Sequence, residues 1–290
     1  MLSLGIDIGG TSIKAALLAS GGEVVASSRS DVYSRPDVQW LRAAVAQVVG
    51  AVTRCGAPDA IGLCVPGAVD ERSGRVVKSI NVPGLVGLMP SEVLPLALSG
   101  VSRIRQYTDA FAAGADIYLS EQLMGRLLAV SLGTGVGAAV IDDGCEQLIL
   151  HGRSSGHFGQ MDVGVEEAGQ ETPIGPDGGR GGLEAYLGLP ALLARYGCES
   201  DPRLLMKRIK PDDAPVRALA RALRIAHAIY KPEHVYLLGG LSLVLAPYLQ
   251  HLRVLIEDGL TGVAMPSWTL RTGESDLHAA RGAAKLALSF

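Results

Sequence analysis

Apolar residues run along the first thirty positions in short stretches cut by glycine pairs. Leu4-Gly5-Ile6-Asp7-Ile8 leads into Gly9-Gly10-Thr11, Ile13-Lys14-Ala15-Ala16-Leu17-Leu18 follows, and Gly21-Gly22 makes a second turn. This predicts a three-stranded meander over 2–30. The pattern returns at 127–150, where Ala129-Val130-Ser131-Leu132 meets Gly133-Thr134-Gly135, Val136 to Ile141 follows, and Asp142-Asp143-Gly144 turns the chain. Two strand–turn–strand units of one design predict a duplicated fold.

Helical spacing fills the intervals. Pro36 and Asp37 open a helix whose apolar face is Trp40, Leu41, Ala44, Val45, Val48, Val49 and Val52. A buried strand at 60–65 stops at Pro66-Gly67, and a short strand near 75–77 precedes a loop carrying Asn81. Ser91 caps a short helix. A strand at 104–107 runs into Thr108-Asp109 and a helix at 110–124. Residues 151–183 are glycine-rich and read as an irregular binding loop. Helices follow near 184–196 and 213–231, the second stopped by Pro232. A strand at 234–238, the Gly239-Gly240 turn, and helices near 241–257 and 277–289 complete an α/β pattern.

The glycine tips carry the first candidate chemistry. Without a Cβ, backbone N–H groups come close to an anion, so paired tips suit a polyphosphate. Each tip alone reads more readily as a plain hairpin than as a phosphate loop. Asp7 breaks an otherwise apolar strand, where a carboxylate is costly without a partner such as hydrated Mg²⁺. Lys14 reads as a phosphate ligand or as a solvated strand residue. Asp109 fits two roles: N-cap of the following helix, or a base.

Composition narrows the class. The chain has 290 residues, 48% hydrophobic and 19% charged, with a net charge of −3. It is long enough for two cored domains, and no basic run marks a nucleic-acid surface. Cys55, Cys64, Cys145 and Cys198 are scattered, without metal or redox spacing. Asp7 interrupts any signal-peptide core, and the longest uncharged runs, 127–141 and 235–249, fall short of the roughly 18 residues that span a bilayer. A cytoplasmic protein with no membrane partner is expected.

Taken together, the motifs resemble the ROK family (repressors, open reading frames and sugar kinases) of the actin-like ATPase superfamily. Asp7-Ile8-Gly9-Gly10-Thr11 with Lys14 resembles its first phosphate motif, and Gly133-Thr134-Gly135-Val136-Gly137 its second. Leu238-Gly239-Gly240 resembles the adenosine motif. Val65-Pro66-Gly67 and Asn81 are similar to the sugar-side loops, Thr108-Asp109-Ala110 to Asn-Asp-Ala, and Gly182-Leu183-Glu184 to Cys-Leu-Glu. The resemblance implies a two-lobed, ribonuclease H-like α/β fold with an interdomain cleft. One lobe is 1–116 with 277–290, and the other is 117–276. It also implies an ATP- and Mg²⁺-dependent sugar kinase acting on a hexose or amino sugar, with Asp109 as catalytic base. Asp7, Gly9, Gly10, Thr11, Lys14, Gly133, Thr134, Gly135, Gly239 and Gly240 would hold the nucleotide and its metal. Gly67, Asn81, Thr108, Asp109, His157, Gln160 and Glu184 would hold the sugar. A homodimer or higher homo-oligomer is implied by the same analogy.

The departures are specific. The family's Gly-Glu-Xaa-Gly-His is here Gly156-His157-Phe158-Gly159-Gln160, and its zinc cysteines fall on Gly178-Gly179-Arg180-Gly181-Gly182. Without thiolates and the matching imidazole the usual Cys₃His zinc site cannot form, so no metal other than the Mg²⁺ of ATP is expected. A carboxylate accepts two sugar hydroxyls where an imidazole accepts one, so the hydroxyl pattern is altered. These departures keep a second reading open: a sugar-binding or regulatory ROK protein with weakened catalysis and no DNA-binding domain. Another actin-like ATPase is the third.

Overall fold

The structure is a computed structural model that describes every residue except 71, 150–152, 155–156, 168, 199–203, 265–266 and 289–290. The chain divides into two compact units, Met1–Glu121 with Leu277–Phe290, and Gln122–Asp276.

In the first unit β1 (Leu2–Ile8), β2 (Ile13–Ala19) and β3 (Val24–Arg29) form the expected meander, followed by α1 (Val38–Thr53), β4 (Ala60–Cys64), the small hairpin β5 (Ala68–Val69) and β6 (Val76–Lys78), β7 (Arg103–Tyr107) and α2 (Asp109–Ser120). The sheet order is β3-β2-β1-β4-β7, with β1 antiparallel to β2 and parallel to β4, and β4 parallel to β7. Side chains alternate between sheet faces. Leu4, Ile6 and Ile8 join the Leu41, Val45, Val48 and Val52 stripe of α1 in one core. Gly5, and Gly62 opposite it in register, serve the other face. A Cβ on Gly5 would stand 1.7 Å from the Ala280 carbonyl oxygen, and one on Gly62 would stand 2.0 Å from that of Ala283. Those residues belong to the last helix, α9 (His278–Leu288), which packs backbone against backbone on β1 and β4.

The second unit repeats the plan. Its strands β8 (Arg126–Leu132), β9 (Val136–Asp142) and β10 (Cys145–Glu146) form a second meander, and a separate ribbon pairs β11 (Leu148–Ile149) with β12 (Arg153–Ser154). Helices α3 (Leu183–Leu187), α4 (Leu189–Tyr196), α5 (Leu205–Arg208) and α6 (Ala214–Tyr230) precede β13 (His234–Leu238). Then come α7 (Gly240–Leu245), α8 (Leu249–Glu257) and β14 (Thr269–Thr272). The sheet order β10-β9-β8-β13-β14 matches the first sheet strand for strand, again with a meander beside two parallel strands. Leu128, Val130, Val235 and Leu237 pack with Leu219, Leu223 and Ala226 of α6 in its core.

Several boundaries differ from the sequence reading. The short helix at Ser91 is instead two 3₁₀ turns, Pro90–Val93 and Leu96–Leu98, because Pro95 falls between them and cannot continue a helix. The helix expected to reach residue 124 ends at Ser120. The helix at 184–196 breaks at Gly188, and that at 241–257 breaks around a 3₁₀ turn containing Pro247. Strand β14 is only Thr-Leu-Arg-Thr and carries no periodicity to find. Trp40 is 38% exposed rather than core, its ring set edge-on to Tyr33 at 4.8 Å.

Candidate active site

The candidate residues fall into two groups, one in each unit. In the first, β1, β4 and β7 run parallel and end side by side, and chemistry collects at such carboxyl ends in open α/β sheets. Asp7 near the end of β1 is the register partner of Cys64 at the end of β4, and Cys64 partners Tyr107 at the end of β7. Asp109 follows two residues on. Burial pushes the Cys64 thiol well above its ordinary range, and the Asp7 and Asp109 carboxylates push it further. Both carboxylates therefore bear on one buried sulfur. Asp7 is 6% exposed and has Lys14 Nζ at 3.4 Å, so Lys14 is not merely solvated.

Gly9, Gly10 and Thr11 form the turn between β1 and β2. Gly9 N–H donates to the Ser12 carbonyl at 3.0 Å. Tyr33, which sequence reasoning missed, braces this tip twice. Its N–H donates to the Thr11 carbonyl at 2.9 Å, and its hydroxyl donates to the Gly9 carbonyl. Burial, then the Asp7 charge, raises the Tyr33 hydroxyl above its ordinary pKa, so it stays a donor. No local signal marks a tyrosine 24 residues along the chain from its partner.

The cap reading of Asp109 is corrected. Thr108 is the N-cap of α2, its hydroxyl accepting the Phe111 N–H at 3.2 Å, and Asp109 is the first helical residue. Thr108, not Asp109, therefore fills the N-cap position. Gly67 lies just beyond β4 at φ +109, where an added Cβ would stand 2.1 Å from the Lys78 carbonyl oxygen. Asn81 is half-buried, past the β5–β6 hairpin.

In the second unit, parallel β8 and β13 likewise end together. Gly133, Thr134 and Gly135 turn the chain between β8 and β9, with Gly133 N–H donating to the Gly135 carbonyl at 3.0 Å. Gly239 and Gly240 turn it between β13 and α7. Gly239 sits at φ +86 against the Leu132 carbonyl oxygen, which would be 2.5 Å from a Cβ, so only glycine lets the two turns meet. Ser242 Oγ donates to the Gly239 carbonyl at 2.7 Å and holds the turn closed.

Glu184 in α3 joins this group to the turn that carries His157 and Gln160. Its Oε2 accepts the Val136 N–H at 2.7 Å and would stand 2.6 Å from a Cβ on Gly135, while a Cβ on Gly159 would stand 2.6 Å from the Val136 carbonyl oxygen. Burial raises the Glu184 pKa, and the Val136 hydrogen bond partly offsets this. His157 takes the N-cap position of the 3₁₀ turn Phe158–Gln160, and both His157 and Gln160 line a cavity of about 320 Å³ together with Leu128, Ala138 and Val140. Gly156 lies outside the described residues. The segment holding the zinc-cysteine positions is closed by backbone pairing, with bridges Asp162–Gly182 and Ile174–Arg180. Among the described residues, no group of three or more His, Cys, Asp or Glu could hold a metal ion, and no helix is long and apolar enough to cross a membrane.

The sequence matches the family model of the ROK family over residues 3–289. It is similar to the glucokinase of Thermotoga maritima, 24% identical over 265 residues that cover 82% of each chain. It is also similar to the N-acetyl-D-glucosamine kinase of Yersinia pestis, 27% identical over 190 residues covering 63% of this chain and 73% of that one. Its structure is similar to that of a ROK family glucokinase from Streptomyces griseus in complex with glucose and AMPPNP, with a TM-score of 0.77 at 21% identity over 99% of both chains.

Proposed function

The chain belongs to the ROK family, and from that premise we propose an ATP-dependent sugar kinase that phosphorylates a hydroxyl of a hexose or amino sugar. The observation that carries the reading is the pair Asp7 and Asp109 at the ends of β1 and β7, the parallel strands on either side of β4, both bearing on the Cys64 thiol at the end of β4. The glucokinase and N-acetylglucosamine kinase relatives support the substrate class.

In this reading Asp109 takes the proton of the sugar hydroxyl as its oxygen attacks the γ-phosphorus. The bond to the bridging oxygen breaks and ADP leaves. Asp7 offers a hard oxygen for Mg²⁺, directly or through water, and Lys14 offers a point charge for phosphate oxygens. Mg²⁺ supplies charge neutralisation on the phosphates when it arrives with ATP. Gly9, Gly10, Thr11, Gly133, Thr134, Gly135, Gly239 and Gly240 let the backbone approach the nucleotide. Gly67, Asn81, Thr108, His157, Gln160 and Glu184 are assigned to the sugar. A cytoplasmic homo-oligomer fits this assignment.

His157 and Thr108 stand where the family has Glu and Asn, which favours a second reading in which sugar binds and phosphorylation is weak. One screen separates them: ADP release from hexoses, amino sugars and N-acetylated sugars, with Asp109→Asn as control. Because Thr108 supplies the cap, Asp109→Asn keeps α2. A base at Asp109 predicts a fall of about 10²–10⁴-fold with nucleotide binding intact. An Asp109→Asn enzyme at the wild-type rate removes the base. A wild type that binds sugar but phosphorylates none selects the second reading.

A further inference from the structure

Asp116 is fully buried in α2, and three basic residues of α9, His278, Arg281 and Lys285, gather around its carboxylate. His278 Nδ1 donates to Oδ2 at 2.7 Å, and Lys285 Nζ lies 2.6 Å from Oδ1 while also donating to Ser120 Oγ at 2.6 Å. Arg281 Nε is 3.2 Å from Oδ2, but its N–H is not aimed at the oxygen, so it contributes charge rather than a directed bond. Burial alone would raise the Asp116 carboxyl. The His278 and Lys285 hydrogen bonds, with the Lys285 and Arg281 charges, bring it below its ordinary value. A buried ionised carboxylate matched this closely fixes its helix, since any rotation strands the charge.

The rotation it fixes is also that of Asp109. The two residues are seven apart, so they share a helix face two turns, or about 10 Å, apart. At the start of α2 the same two helices meet again: the Cys64 thiol lies 3.9 Å from the Thr108 carbonyl oxygen and 3.9 Å from that of Ala279. Between these points Gly282 lets α9 touch the α2 backbone, where a Cβ would stand 1.7 Å from the Ala112 carbonyl oxygen. The helices are locked at both ends and in the middle.

We infer that the His278–Asp116–Lys285 cluster is a positioning device for Asp109, so that the last helix sets the aim of the reacting carboxylate without touching substrate. This rests on the kinase reading, with Asp109 as base. The contrast that tests it is His278→Asn, whose amide replaces the Nδ1 donor, against His278→Leu, which removes it, with Lys285→Met as a second and milder lesion. Each variant is assayed well below its melting temperature. His278→Leu and Lys285→Met are expected to lower kcat about tenfold or more, with sugar and ATP KM changed less than twofold, because small misplacements of a reacting group are costly. Amide exchange at 111–113 should quicken while that of α1 does not. His278→Asn should restore most of both readouts. Wild-type kcat in both His278→Leu and Lys285→Met, while Asp109→Asn is impaired, overturns the positioning role alone. An unimpaired Asp109→Asn overturns the kinase reading beneath it. Equal loss in His278→Asn and His278→Leu also counts against the inference.

Discussion

The Glu184 carboxylate accepts a hydrogen bond from the Val136 N–H at 2.7 Å, which ties α3 to the second glycine tip through one side chain. Glu184→Gln keeps an acceptor there, whereas Glu184→Ala leaves the Val136 N–H unpaired and opens a void beside Gly135 and Gly159. Nucleotide binding without sugar, measured by calorimetry, should weaken about three- to tenfold in Glu184→Ala, the value of one hydrogen bond. Glu184→Gln should stay near wild type in that assay. Equal nucleotide affinity in all three proteins would break the link.

The Tyr33 hydroxyl is the second brace. Tyr33→Phe keeps the edge-on contact with Trp40 and removes only the bond to the Gly9 carbonyl. The expected result is a two- to tenfold rise in the KM for ATP with little change in sugar KM, from about 0.5–1.5 kcal/mol of lost hydrogen bonding. A change confined to sugar KM would contradict the assignment of this tip to phosphate.

Much of this architecture stands in the sequence because two periodicities dominate it. Both meanders, the α1 stripe and the final helix lie where the apolar pattern puts them, and the glycine tips fall between the expected strands. What the sequence hides are long-range pairs. Asp116 reads as one more polar residue on a helix, and nothing local joins it to His278, 162 residues away. The cap was misplaced for a different reason: Thr and Asp both cap well, and adjacent candidates are distinguished only by backbone angles. The 3₁₀ turns and β14 are too short for periodicity to register.

Acid should destabilise the second unit through His227. Its ring lies edge-on to Trp268 at 4.5 Å, neither nitrogen has a hydrogen-bond partner among the described residues, and burial pushes its pKa down to about 4. Unfolded, the imidazole titrates near 6.5, so between those values the unfolded state binds the extra proton. Stability is complete above about 6.5 and falls as pH drops toward 4, by up to about 1 kcal/mol per unit. Denaturant titrations at pH 7 and pH 5 should show this loss in wild type and a smaller one in His227→Phe. Parallel losses would clear His227 of the effect.

The glycine pair beneath α9 gives a stability test free of any catalytic assumption. In Gly62→Ala the new methyl would stand 2.0 Å from the Ala283 carbonyl oxygen, so helix and sheet must part. A cost of about 1–3 kcal/mol or more is expected from overpacking. Gly21→Ala, in a turn where an added Cβ meets nothing within 4 Å, is the control and should change the melting temperature little. Similar melting temperatures for Gly62→Ala and wild type would show that the contact is looser than drawn.

The final helix also sets the order in which this chain completes itself. The strands that open the sequence receive one of their two covering layers from residues 277–290. The second unit is an uninterrupted stretch and has all its own strands once residue 276 is made. On the ribosome, therefore, the unit that starts first is finished last. Until then the face of β1 and β4 bearing Gly5, Gly62 and the buried Cys64 thiol is uncovered, and Asp116 waits for its cations.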